Sequence, residues 1–247
     1  MNIEGLHVIR NFLNLAERKA AMQCAKRLTE QAAEVSARQL SSEIVSKAHN
    51  INSREVFKSL QLRLDDGRTA SCEHFSKYGE GHLLTYFRGE IPSFVPNSEL
   101  TTRLLQLPSI RNEVMASRKR FGRPDLQNFK WRLTLNYYPT ADSTATRFGF
   151  PWHRDLVANG ASTMILNLGA PGCLEFGEEP LSAKPVDGIH YGNHNATADV
   201  EIRSVKAITL EDGDLLALTG PARWEYLHRV AASKGGKERV TLVYGVW

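Results

Sequence analysis

From Phe129 to its C-terminus the chain is a succession of short strand-like runs divided by turn residues, and this restricts its fold more than any other feature. The runs are 129–138 (FKWRLTLNYY), 162–168 (STMILNL), 173–176 (CLEF), 201–209 (EIRSVKAIT), 214–219 (DLLALT), 225–230 (EYLHRV) and 238–246 (ERVTLVYGV). Between them lie Pro139-Thr-Ala-Asp142, Ala170-Pro-Gly172 and Glu211-Asp-Gly213, which break extended backbone. So many short strands bury their apolar sides only by stacking into two sheets or closing into a barrel. With 247 residues and 42% hydrophobic content there is enough apolar surface for one such core.

The chain before residue 129 has a different texture. Residues 6–13 (LHVIRNFL) suggest a short strand and a turn, with Asn14 placed to cap a helix. Leu15, Met22, Ala25, Leu28 and Ala32 then recur near helical spacing, which predicts a helix over 15–40 covering one face of a sheet. Residues 53–64 fit a short strand or a helix, 82–88 fit a strand, and 100–105 and 110–120 fit short helices separated by Pro108. The basic run Arg118-Lys119-Arg120, with Arg123, closes this part. The expected class is α+β, mainly β, in a single catalytic domain over 1–247. It divides into an N-terminal strand and supporting helix (1–50), a middle segment (51–128) and a β core (129–247).

Cys24, Cys72 and Cys173 are too few and too scattered for a disulfide framework or a CxxC metal knuckle, which predicts a reducing, intracellular setting, cytoplasmic or nuclear. The opening Met1-Asn-Ile-Glu-Gly5 lacks the basic-then-apolar order of a signal peptide, and no apolar run approaches membrane-spanning length, so no membrane partner is expected. The formal charge of +4 suits a partner bearing phosphate or carboxylate, or equally a basic surface with no partner.

The chemistry centres on Phe150-Pro-Trp-His153-Arg-Asp155. On extended backbone His153 and Asp155, two apart, point to the same side and can reach one ion. Two histidines and one carboxylate on one face of a metal are the ligand set of non-haem iron(II) oxygenases, whose remaining positions stay open. The second histidine must come from a later strand, and His228, after the turn Gly220-Pro-Ala-Arg223, is the best placed. Arg239 opens the last strand and suits a two-pronged salt bridge to the far carboxylate of 2-oxoglutarate, with Asn136 and Tyr138 adding hydrogen bonds. Each residue alone has a plainer role: a chance His-x-Asp, a hydrogen-bonded strand-end histidine, a solvated arginine, a core tyrosine.

Taken in order, these segments resemble the AlkB family of iron(II)/2-oxoglutarate dioxygenases over roughly the last 110 residues. The matching pieces are Leu135-Asn136-Tyr137-Tyr138-Pro139, Trp152-His153-Arg154-Asp155, Leu166-Asn-Leu168-Gly169 and Leu174-Glu-Phe176-Gly177. Gly213-Asp214, Gly220-Pro-Ala-Arg223-Trp224 before His228, and Arg239-Val-Thr-Leu242 follow, and Ile9-Arg-Asn11-Phe12-Leu13 resembles the family's opening. The resemblance implies a double-stranded β-helix (jelly roll) with supporting N-terminal helices and a substrate lid built from the segment before it. It implies Fe(II) on His153, Asp155 and His228, 2-oxoglutarate on Asn136, Tyr138 and Arg239, and O2 as oxidant. Two departures stand out. Gly245 occupies the place of the family's second arginine, leaving Arg223 or Arg229 as substitutes, and Leu156-Val-Ala158 replaces an acidic residue after the metal aspartate.

The family's chemistry points to oxidative demethylation of alkylated or methylated DNA or RNA by a monomer. Arg88, Arg111 and the 118–123 run are candidate phosphate contacts, and Tyr78, Tyr86 and Phe87 candidate base-stacking aromatics. The alternatives are hydroxylation or demethylation of a protein side chain or small molecule, and a non-catalytic binding module on the same fold. His190-Tyr-Gly-Asn-His194 with Asp199 fits a loop insertion between strands or a second metal site.

Overall fold

A computed structural model describes residues 2–42, 56–64, 67–78, 82–87, 97–124, 126–140, 147–178, 202–234 and 237–247. Its elements run β1 (Leu6–Ile9), α1 (Leu15–Ser42), β2 (Val56–Arg63), β3 (Thr69–Tyr78), β4 (His82–Phe87), α2 (Asn97–Leu105) and α3 (Pro108–Arg120). There follow β5 (Trp131–Tyr138), β6 (Arg147–His153), a 3-10 turn (Val157–Asn159), β7 (Ser162–Gly169), β8 (Gly172–Glu178) and β9 (Arg203–Leu210). The chain ends with β10 (Leu215–Leu218), α4 (Gly220–Trp224), β11 (Leu227–Lys234) and β12 (Arg239–Val246). The insertion at 190–199, Arg88 and the Tyr78 side chain lie outside the described residues.

Asn14 starts α1 by a reciprocal cap: its side-chain oxygen accepts from Glu17 N–H at 3.0 Å, and the Glu17 carboxylate accepts from Asn14 N–H at 2.8 Å. Ala21, Cys24, Ala25, Leu28 and Ala32 form the buried stripe of the helix. Leu15, expected in that stripe, is 63% exposed because it precedes the first turn that meets the sheet.

The strands form an eight-stranded sheet, ordered β1-β10-β7-β12-β5-β4-β3-β2, and a four-stranded sheet, ordered β6-β11-β8-β9. From β5 to β8 the chain passes between the sheets at every strand, and β9 to β12 do the same after one hairpin. With every pairing among these strands antiparallel, this is the jelly roll that the resemblance implied. Alternation along the large sheet separates two layers. Leu133 and Leu135 of β5 and Val240, Leu242 and Tyr244 of β12 join Leu28 of α1 and Leu104 and Ile110 of α2 and α3 in one core. Ile165, Leu174, Phe176, Ile208 and Leu216 pack between the two sheets. Of the segment 51–128, the described parts are three strands that lengthen the large sheet and two helices on its outer layer. Among the described residues no helix is long and apolar enough to cross a membrane.

Candidate metal centre and its cavity

β6 ends on His153 and β11 begins with Leu227 and His228, and the two histidines are direct partners in the antiparallel register. Their rings lie 4.2 Å apart between centroids. Asp155 follows two residues after β6 and turns back towards both. Its Oδ1 is 4.0 Å from His153 Nε2, and its Oδ2 is 3.9 Å from His228 Nε2. One ligand atom from each residue falls within 4.8 Å of the others. These gaps exceed hydrogen-bond range, so the three groups do not satisfy one another. Asp155 Oδ2 is buried and has no hydrogen-bond partner. An unpaired buried carboxylate oxygen is costly unless something cationic meets it, so the set fits a divalent ion.

The electrostatics agree. Burial alone would raise the Asp155 carboxyl, but the charges of His228, Arg223 and His153 outweigh it and hold the group at about 2. Burial pushes the His228 imidazole down, with Arg223 and Arg154 adding to this and Asp155 opposing it. An ionised carboxylate beside a neutral imidazole is the protonation pattern a metal needs.

A cavity of about 260 Å³ opens from this point between the sheets. Asn136 and Tyr138 line it together with His153, Asp155 and His228. Asn136 pairs across the sheet with Thr241, and Tyr138 with Arg239. The Asn136 amide donates to Thr241 Oγ1 at 3.2 Å, while its oxygen meets His82 Nε2 at 3.2 Å. His82, buried and stacked on Tyr138 at 4.7 Å, is a supporting residue that sequence reasoning missed. Its one signal was its place on the same face of β4 as Leu84 and Tyr86. Arg239 does not line the cavity. It lies just beyond, its guanidinium 3.9 Å from the Tyr138 ring centroid, with Nη1 buried and without a partner. A buried cation with an unused donor beside a phenol fits a carboxylate ligand. Burial also raises the Tyr138 hydroxyl, against the pull of Arg239 and Thr241, so it remains a donor.

Several expected contacts take other forms. Neither substitute for the second arginine reaches the cavity. Arg229 pairs with Glu175 at 2.6 Å and lies 4.7 Å from the Trp152 ring, while Arg223 binds backbone carbonyls. At Gly245 itself there is no room for a side chain, since a Cβ there would fall 1.5 Å from the Asn159 carbonyl oxygen. Arg118 is buried and donates to Leu126 O at 2.7 Å and Asn128 O at 2.9 Å, so it serves the fold and not a phosphate. Phe87 is in the outer core, and only its neighbour Tyr86 faces the cavity, because successive strand residues point to opposite sides.

No protein-family model and no curated protein matches this chain. Solved structures resemble it loosely. A crystal structure of JOX2 in complex with 2OG, Fe and JA is 14% identical, with 98% of this chain and 67% of that one covered, at a TM-score of 0.48. The structure of OsALKBH1 is 12% identical over 99% of both chains, at a TM-score of 0.42. A 2OG-Fe(II) oxygenase family protein from Caulobacter crescentus is 15% identical over 98% of this chain and 77% of that one, at a TM-score of 0.48. Likeness this loose says nothing of what this chain does, which rests on its own side chains.

Proposed function

We propose that this protein is an Fe(II)/2-oxoglutarate-dependent dioxygenase. The observation that carries the proposal is the unpartnered Asp155 Oδ2, buried between two histidines brought to it by paired strands of the small sheet. His153, Asp155 and His228 would hold the iron. Bound together, iron and 2-oxoglutarate supply oxidation of a C–H bond by O2, with the 2-oxo acid leaving as succinate and CO2. The protein's own part is arrangement. Arg239 and the Tyr138 hydroxyl would receive the far carboxylate of 2-oxoglutarate, and Asn136, oriented by His82 and Thr241, would offer its remaining amide N–H. Phe75, Leu84, Phe150, Leu156, Ile165 and Leu174 give the cavity an apolar wall that would exclude water and direct a substrate carbon towards the metal.

For substrate, the reading is oxidative demethylation of an alkylated base in DNA or RNA. Hydroxylation of an N-methyl carbon gives N–CH2OH, which breaks to N–H and formaldehyde. Glu73 of β3, Tyr86 of β4 and Thr134 of β5 are direct cross-strand neighbours and all line the cavity, giving a flat ring surface with polar groups on either side. Arg132 shares a face of β5 with Thr134 and makes no ion pair among the described residues, so it can meet a phosphate. The second reading, oxidation of a protein side chain or small molecule, is favoured by the apolar cavity wall and by the commitment of Arg118 to the fold. A panel of methylated oligonucleotides, methylated peptides and small acids, read for formaldehyde, succinate and product mass, separates them. Succinate formation that rises only with oligonucleotides supports the first, and a response confined to the other arms supports the second. Metal-loaded protein that binds 2-oxoglutarate without ever forming succinate would leave a binding module.

A further inference from the structure

Arg223 is the largest fully buried side chain of the described residues, 2% exposed, and it lies beside the candidate metal site without lining the cavity. It belongs to α4, the short helix between β10 and β11. Its Nη1 donates to Asp155 O at 3.0 Å, and its Nη2 donates to Leu156 O and Gly160 O, both at 2.9 Å. The guanidinium lies 4.3 Å from the ring centroid of its neighbour Trp224, and the Trp224 indole donates to Glu113 Oε1 at 3.2 Å.

These contacts divide the work of holding residues 154–160. Beyond the bond of Arg223 to Gly160 O, the far half of the segment is held by β12 and the residue after it: Ala161 N, just past the segment, donates to Val246 O at 2.8 Å, and the Trp247 indole donates to Val157 O at 2.9 Å. Gly160 and Gly245 let the two backbones meet, since a Cβ on Gly160 would fall 2.3 Å from Val246 N. The near half carries Asp155, which lies beyond the last ladder pair of β6, His153 with His228. Here Arg154 reaches out to Glu225 O at 2.7 Å, and Arg223 reaches in. Carbonyl oxygens gathered in an interior repel one another and cannot donate. One planar guanidinium with several fixed donors answers all of them at once, which an ammonium point charge does not.

We propose that Arg223 is a positioning residue for the metal centre: by gathering the carbonyls of Asp155, Leu156 and Gly160 it aims the Asp155 carboxylate at the space between His153 and His228. This rests on the metal-site reading above. Outer residues that orient a ligand change metal affinity even though they never touch the ion, typically by about 10–100-fold.

The test is Mn(II) binding to full-length protein, followed by calorimetry or by loss of the free-ion paramagnetic resonance signal. The proteins are wild type, Arg223→Met, Arg223→Lys and Arg118→Met. Arg118 is the control, a second buried arginine that also binds loop carbonyls but lies in the outer layer. Both Arg223 variants are expected to bind Mn(II) about 10–100-fold more weakly, with little rescue by lysine. Arg118→Met is expected to unfold more easily yet bind within about twofold of wild type, because only global stability depends on it. A folded Arg223→Met protein that binds as tightly as wild type overturns the proposal. So does an equal loss in Arg118→Met, or loss of cooperative folding in both Arg223 variants, since either would make Arg223 a general stabiliser. Wild-type protein that binds no Mn(II) would instead remove the metal-site reading itself.

Discussion

At the scale of single residues, buried polar atoms without partners occur in several parts of the interior, those of Tyr244 and His74 among them; what marks this site is that the unanswered atoms belong to charged groups. Asp155 Oδ2 and Arg239 Nη1 are buried without partners, one beside the histidine pair and one behind Tyr138. A stable interior seldom tolerates either unless a ligand completes it. Replacing Arg239 with alanine should therefore raise the 2-oxoglutarate concentration needed for half-maximal turnover by about 10–100-fold, the worth of a lost charge-assisted contact. Initial rates of succinate formation against 2-oxoglutarate would show it; an unchanged requirement would mean that another group takes the far carboxylate. His153, Asp155, His228, Asn136, Tyr138 and Arg239 could be picked out in the sequence as candidates because metal and carboxylate chemistry admit few residue types, and the fold gathers the first five around one cavity. His82 and Thr241 could not. They act through hydrogen bonds to Asn136, and such a role leaves no spacing or composition to find.

At the scale of elements, strand alternation positions the cavity-lining residues of the large sheet, and the elements not read from the sequence are those that break its rules. β6 contains Pro151, which argues against a strand, but β6 is an edge strand of the small sheet, where a missing N–H is tolerated. β3 carries Glu73 on its cavity side and so lacks an apolar stripe there. The 118–120 run gives no sign that its first guanidinium turns inward. The element contact between the 3-10 turn and β12 is also tight enough to test. Gly245→Ala would drive a methyl into the Asn159 carbonyl and should destabilise the protein by about 1–3 kcal/mol, measured by urea unfolding. Equal stability would mean that the turn moves freely. On the lengthened sheet, Tyr86→Ala should reduce product formed per succinate several-fold, because a substrate with no flat surface to rest on is held less well before the metal. Unchanged coupling would move the substrate away from this wall.

At the scale of the whole molecule, the large sheet separates a chemical side from a supporting side, and the supporting side has a pH sensitivity of its own. Burial pushes His74 down to about 4, with Nδ1 3.0 Å from Thr85 Oγ1 and Nε2 without a partner. Its folded-state value lies below the unfolded one, so the stability it contributes is present above about 6.5 and is lost as pH falls towards 4. The full span corresponds to about 3 kcal/mol. Urea midpoints at pH 7.5 and 4.5 should therefore fall further for wild type than for His74→Gln; parallel losses would assign the acid sensitivity elsewhere. That the C-terminal half is built of short strands was visible in the sequence, because turn residues separate runs there; that the strands stack as a jelly roll was implied only by the family resemblance. The substrate was not visible, since the cavity's polar groups come from strands far apart in the chain. The dioxygenase reading is decided by incubating purified protein with Fe(II), ascorbate and 2-oxoglutarate and measuring succinate. Wild type is expected to produce it steadily and His153→Ala or Asp155→Ala not at all, whereas turnover persisting in those variants would overturn the iron assignment.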